Sequence, residues 1–185
     1  MTIDKLLGNQ SVIISLDVDK DLYDKLDQIA EAGFNVVEIN ATDTKTLSKV
    51  INQYPNLKIG AAGIIETQQL ENCYQVGVHF ASSPGFLTSI AQTAMIYTMN
   101  YLPGVATLSE AMAAASIGYQ QVRPFPASLT FCAALNRWLP NLKIVPAEIA
   151  WEDAEHFLNL PAVAGFGIHN PDIKQLAALI SGVFV

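Results

Sequence analysis

Charge is scarce in this chain, and basic charge scarcest: ten Lys and Arg stand against seventeen Asp and Glu, a formal net charge of −7 over 185 residues. Duplex nucleic acid is bound through a basic face that neutralises phosphates, so that class is excluded, and an anionic membrane surface is disfavoured on the same ground. No apolar run approaches the roughly eighteen residues of a bilayer-spanning helix. The opening MTIDKLLGNQ carries acids and amides instead of an apolar signal core, so a cytoplasmic location is expected. Cysteine is nearly absent. Cys73 and Cys132 sit in apolar helix-like contexts without a CxxC partner, which fits free core thiols in a reducing compartment and leaves no disulfide framework. His79 and His156 lack a partner at metal-ligand spacing. The first β-rich run leads into Asp17-Val18-Asp19-Lys20, not into a glycine-rich phosphate turn. Neither a metal nor a cofactor is expected.

What is abundant is apolar: 51% of residues are hydrophobic and 15% charged, enough for one globular domain over residues 1–185 with a large core. Short β-rich runs alternate with helix-periodic stretches. The expected strands are 11–17, 35–40, 57–61, 78–82, 97–102, 120–123, 142–146 and 162–166. Between the first two lies an amphipathic segment over 20–32, with Leu22, Leu26, Ile29 and Ala30 on one face and Gly33 as its stop. Gly77 and Gly118 close later helices in the same way. Strict β/α alternation with short connections indicates a parallel sheet, and eight such units indicate an α/β fold of the compact (β/α)8 TIM-barrel type.

In such barrels the chemistry lies on the βα loops at the C-terminal strand ends. This directs attention to Asp17, Glu38, Gly60 to Gly63, Ser82 to Gly85, Pro103-Gly104, Arg123, Glu148 and Gly167 to Asn170. Lys58 and Lys143 stand at strand starts, the opposite face, and are discounted as catalysts. Tyr97, Met99 and Tyr101 alternate as on one strand, with Met95 in the turn before it, and are read as packing residues. The acidic stretch Asp19 to Glu31 is read as a solvated face.

Several motifs, in order, carry a resemblance. They are Val37-Glu38-Ile39, Gly60-Ala61, Phe80-Ala81 through Ser83-Pro84-Gly85, Pro103-Gly104-Val105-Ala106-Thr107 with Ser109-Glu110, Gly118-Tyr119, Phe125-Pro126-Ala127 and Leu160-Pro161. With these the chain resembles the 2-keto-3-deoxy-6-phosphogluconate (KDPG) / 4-hydroxy-2-oxoglutarate (KHG) aldolase family from about residue 11 to residue 169. The resemblance implies a (β/α)8 barrel, a homotrimer, and class I carbon–carbon lyase chemistry on a 2-keto acid. In that chemistry a lysine amine forms a Schiff base and a glutamate shuttles protons.

Against that pattern the chain departs at the centre. The family's Lys-Phe-Phe-Pro-Ala run reads Arg123-Pro124-Phe125-Pro126-Ala127 here, so Arg123 takes the place of the lysine. A guanidinium stays protonated and has no amine lone pair for a carbonyl. Glu38 matches the proton-transferring glutamate, but Asn40-Ala41-Thr42-Asp43 lacks the arginine that grips the substrate carboxylate. Gly60-Ala61-Ala62-Gly63 lacks the family's threonine hydroxyl, while Pro84 and Phe125 match outright. The phosphate cradle departs as well. Pro146-Ala147-Glu148-Ile149 stands for Pro-Thr-Gly-Gly, and Gly167-Ile168-His169 for Gly-Gly-Ser. A carboxylate about 4 Å from a phosphate is repelled by about 4 kcal/mol per unit charge at an effective dielectric near 20, so a sugar-acid phosphate fits poorly.

The expected site therefore comprises Glu38 and Arg123, with Gly63, Pro84, Phe125, Glu148, Gly167 and His169 around a ligand. The ligand is expected to be a small anionic keto acid or carboxylate. Glu38 and Arg123 form either an anion pocket with residual proton transfer or a structural ion pair filling a vacated site. His169 is either a base beside Glu148 or part of a helix-capping loop before Asn170-Pro171. Lys45 is the one lysine near the correct face, and Asp17 is a second residue able to replace a lost one. Two functions remain: a divergent lyase acting on an unphosphorylated keto acid, and a non-catalytic barrel that binds such a ligand or serves as a trimeric scaffold.

Overall fold

The computed structural model describes residues 3–181. After a short helix α1 (Ile3–Leu7), β-strands and helices alternate: β1 (Val12–Leu16), α2 (Leu22–Glu31), β2 (Val36–Ile39), α3 (Thr44–Gln53), β3 (Lys58–Ala61), α4 (Thr67–Gln75), β4 (Phe80–Ser82), α5 (Thr88–Ile96) and β5 (Tyr101–Leu102). The second half continues with β6 (Gly104–Val105), α6 (Leu108–Ser116), β7 (Gln121–Pro124), α7 (Leu129–Trp138), β8 (Lys143–Ile144), a 3-10 turn at Trp151–Asp153, α8 (Ala154–Leu158), β9 (Phe166–His169) and α9 (Ile173–Ser181).

All strand pairs are parallel. Six strands form one sheet in the order β5-β4-β3-β2-β1-β9, and β6-β7-β8 form a second. The break between β5 and β6 falls at Pro103, which has no N–H to donate to a ladder. Between β8 and β9 a single bridge joins Ile144 to Val163, and the Gly167 N–H donates to the Pro146 carbonyl at 2.7 Å. The result is an α/β fold with a curled parallel sheet in two pieces, where eight complete units in one sheet were expected.

On α2, Leu22, Leu26 and Ile29 are buried as expected, but Ala30 is exposed. The strand expectations hold with three corrections, the first being β6, since Pro103-Gly104 was expected on a loop but Gly104 pairs with Arg123 of β7. Residues 97–102 were expected to form a strand, but α5 runs to Ile96 and the strand begins only at Tyr101, so Met95 is helical and Tyr97 and Met99 lie before the strand. Residues 162–166 were expected to form the last strand. Instead β9 occupies Phe166–His169, because its register is set by β1, where Val12 pairs with Phe166 and Ser15 with His169. Gly33, Gly77 and Gly118 close their helices with positive φ, as expected.

The core lies on both strand faces. The larger cluster joins outward strand residues such as Ile14, Val37 and Ile59 to helix residues such as Leu26, Leu47 and Leu70. A smaller cluster collects the alternate residues Ile13, Val36, Phe80, Leu102 and Val145 with Ile3, Leu6 and Leu7 of α1. Lys58, at the start of β3, donates to the carbonyls of Lys5 and Leu6, so α1 covers the N-terminal strand ends. Side chains alternate across a strand, so the next residues on this inner face are Ser15, Glu38, Ser82 and Arg123, all buried. The inner face is thus apolar at its base and polar one layer up, towards the C-terminal ends.

Candidate functional site

The polar layer is built from four strands. Arg123 on β7 donates through Nη1 to Glu38 Oε1 on β2 at 2.6 Å, and through Nη2 to Ser15 Oγ on β1 at 3.4 Å. Ser82 on β4 donates to Glu38 Oε1 at 2.6 Å, and the Ser15 hydroxyl donates to Glu38 Oε2. Burial alone pushes the Glu38 carboxyl up. The Arg123 charge and the hydrogen bonds from Arg123, Ser15 and Ser82 outweigh this and hold it below its ordinary value. Glu38 is therefore ionised at neutral pH and committed to three donors.

Above this layer opens a cavity of about 420 Å³. Its lining includes Asp17, Asn40, Thr42, Gly63, Ser82, Ser83, Pro84, Arg123, Phe125, Ala147, Glu148 and His169. Every one of these sits at or just beyond the C-terminal end of a strand, as the barrel reading expected. Ser83 fixes one wall: its hydroxyl donates to the Gly85 carbonyl at 2.6 Å and contacts the Tyr101 hydroxyl, whose pKa burial pushes up to about 12. The backbone of this wall is pressed against Gly104, where a Cβ would lie 2.3 Å from the Ser83 carbonyl oxygen. A second cavity, of about 490 Å³, lies at the opposite end among residues such as Gln10, Asn35 and Lys58. It is remote from the polar layer.

The rim is acidic. His169 lies between two carboxylates, with Nε2 3.4 Å from Asp17 Oδ2 and Nδ1 3.4 Å from Glu148 Oε1. Asp17 accepts from Asn40 at 2.7 Å and from Asn170 at 3.0 Å. Glu148 adopts φ +54°, a conformation that favours glycine. His169 is the last residue of β9, not part of a capping loop. The capping role falls to Asp172, whose Oδ1 accepts from the Gln175 N–H at 2.8 Å.

The profile of the KDPG and KHG aldolase family matches residues 3–170. The chain belongs to this family. It is 27% identical over 163 residues to the 2-dehydro-3-deoxy-phosphogluconate aldolase of Pseudomonas aeruginosa, spanning 84% of this chain and 74% of that protein. It is 29% identical over 173 residues to the enzyme of the same name from Zymomonas mobilis, spanning 82% and 81%. The fold is that of the KDPG aldolase of Legionella pneumophila with pyruvate captured as a covalent carbinolamine, at TM-score 0.86 and 24% identity over 96% of this chain and 91% of that one. A cage designed by fusing symmetric oligomeric domains also matches, at TM-score 0.81 and 20% identity over 92% and 69%.

Of the residues expected at an aldolase-family site, Gly63, Pro84, Arg123, Phe125, Glu148 and His169 line the cavity together. Glu38 lies beneath it, fully buried. Gly167 is also beneath: a Cβ there would come 3.3 Å from Arg123 Nη2. Lys45 is exposed on the first turn of α3 and is not among the lining residues. The sequence reading missed Ser15, although its position two residues after the inward Ile13 was the available signal. It also missed Asn40, Lys25 and Asn170 as a network that holds the rim, in which Lys25 donates to Asp19 at 3.1 Å and to Asn170 at 2.8 Å.

Proposed function

We propose that this member of the family has lost the class I aldolase reaction and acts as a barrel that binds a small carboxylate or keto acid. The observation that carries the reading is the 2.6 Å ion pair between Arg123 and Glu38 under a cavity that, among the described residues, is lined by no lysine. A Schiff base forms when an unprotonated amine adds to the keto carbon and the carbinolamine then expels water. A permanently protonated guanidinium cannot start that sequence. Glu38, the match to the family's proton shuttle, is held ionised by three donors, which opposes proton uptake. The retained Pro84 and Phe125 at the wall and Arg123 at the floor favour a ligand pocket over a bare scaffold.

Three further readings belong to this proposal. The two sheets form one closed (β/α)8 barrel over a single domain, supported by the backbone bonds that link Pro146 to Gly167 and Ile144 to Ala162 and Ala164. The working state is a homotrimer, as the resemblance implies. The compartment is a reducing cytoplasm, in keeping with two buried free thiols.

Borohydride trapping with pyruvate, read by intact mass, tests the central claim on wild type and on Arg123→Lys. No adduct on wild type is expected, and an adduct on Arg123→Lys would show that only the nucleophile is missing. An adduct on wild type overturns the reading, and peptide mapping would then identify the amine, with Lys45 the first to inspect.

A further inference from the structure

The cavity is the site already described, and the inference rests on that reading: a small carboxylate approaches Arg123 at the floor. What the structure adds is the sign of charge at the other end. At the floor, the Arg123 cation is balanced by Glu38. At the rim, the side chains of Asp17 and Glu148 are 42% and 45% exposed. Among the described residues neither forms an ion pair with a lysine or arginine. Lys25, close by, is engaged with Asp19 and Asn170. Asp17 is oriented by Asn40 and Asn170, neutral amides that fix its direction without cancelling its charge. His169 between the two carboxylates, even when protonated, supplies one positive charge against two negative ones.

We infer that the cavity takes a small amino carboxylate, with its carboxylate toward Arg123 and its primary ammonium at the acidic rim, on the cavity side of the Asp17–His169–Glu148 row. An ammonium offers three donors and one positive charge, matching two carboxylates that the protein leaves without a full counter-charge. A phosphate or second carboxylate at the same place meets repulsion, and a simple keto acid leaves the rim unanswered. The reach required is short. Arg123 Nη2 and the Glu148 backbone nitrogen both lie within 4 Å of the point a Cβ on Gly167 would occupy, so the backbone that carries the Glu148 side chain stands close to the guanidinium.

A charge series at one chain length tests this: 5-aminopentanoate, pentanoate, glutarate and pentylamine, titrated by calorimetry near neutral pH and at low salt. The expected order is 5-aminopentanoate tightest, pentanoate weaker and glutarate weakest. Asp17→Asn and Glu148→Gln are each expected to weaken 5-aminopentanoate about five- to tenfold and to strengthen glutarate. Glu155→Gln, the same charge change on exposed α8 outside the cavity, is expected to leave both unchanged. Glutarate or pentanoate binding as tightly as 5-aminopentanoate overturns the ammonium at the rim while the carboxylate reading stands. So does binding of 5-aminopentanoate that the rim substitutions leave unaltered. Pentylamine binding as tightly as 5-aminopentanoate overturns the carboxylate contact at Arg123 and not the rim. No saturable binding by any of the four overturns both.

Discussion

Arg123 Nη1 lies 2.6 Å from Glu38 Oε1, and among the described residues each is the other's only charged partner. The two side chains are 7% and 0% exposed, so neither charge can turn to water if the other is removed. Breaking a pair this buried by one substitution leaves an uncompensated charge and costs about 3–5 kcal/mol. Arg123→Met and Glu38→Gln are each expected to lower the urea midpoint accordingly. The double variant Glu38→Leu/Arg123→Met is expected to cost well under the sum, because it leaves no orphaned charge.

Acid should act through the same carboxylate. The folded pKa of Glu38 is held below its ordinary value, so the unfolded chain takes up the proton first as pH falls. Its stabilising contribution is complete above the usual carboxylate range, near pH 4.5, and is lost as pH falls through the lowered folded value. The stability gap between wild type and Glu38→Gln is therefore expected to be constant from neutral pH to about pH 5 and to narrow below it. Denaturant midpoints across that range would measure it.

The wall beside the cavity gives a paired test. An alanine at Gly104 would put its Cβ 2.3 Å from the Ser83 oxygen and 2.4 Å from the Pro84 carbonyl carbon, both backbone atoms that cannot swing aside. Gly104→Ala is expected to cost about 3 kcal/mol and to disturb ligand binding with it. At Gly85, in the same wall, a Cβ meets nothing within 4 Å. Gly85→Ala is expected to stay within about 1 kcal/mol of wild type. Thermal unfolding separates the two.

Glu148 is held at φ +54°, which costs an L-residue about 1–2 kcal/mol. Glu148→Gly removes that strain but adds freedom to the unfolded chain, so it is expected to be at least as stable as wild type. Glu148→Val, β-branched in the same conformation, is expected to fall about 1–2 kcal/mol below the glycine variant.

The order of elements was legible in the amino-acid sequence, because β/α alternation and glycine helix stops are local properties of the backbone. So was the face on which the site lies: Glu38, Pro84, Arg123, Phe125, Glu148 and His169 could all be assigned to strand ends before any contact was known. The errors were local too. Tyr97 and Met99 alternate like strand residues, yet α5 extends to Ile96 and only Tyr101 and Leu102 pair with β4. The last strand slid from 162–166 to Phe166–His169 because pairing with β1, 154 positions earlier in the chain, set its register.

What the sequence by itself determined was the inventory: an arginine at 123, carboxylates at 17, 38 and 148, a histidine at 169, and a chain that is 51% hydrophobic. Only the tertiary structure decided what those residues do to one another. Glu38 and Arg123 are 85 positions apart and meet because two strands on different parts of the curled sheet turn the same face inward. Ser15 and Ser82 join them for the same reason, and His169 falls between Asp17 and Glu148 because three strand ends converge on one rim. A period of two tells which face a side chain takes. Which partner it meets across that face depends on strand register and sheet curvature, which arise from long-range packing.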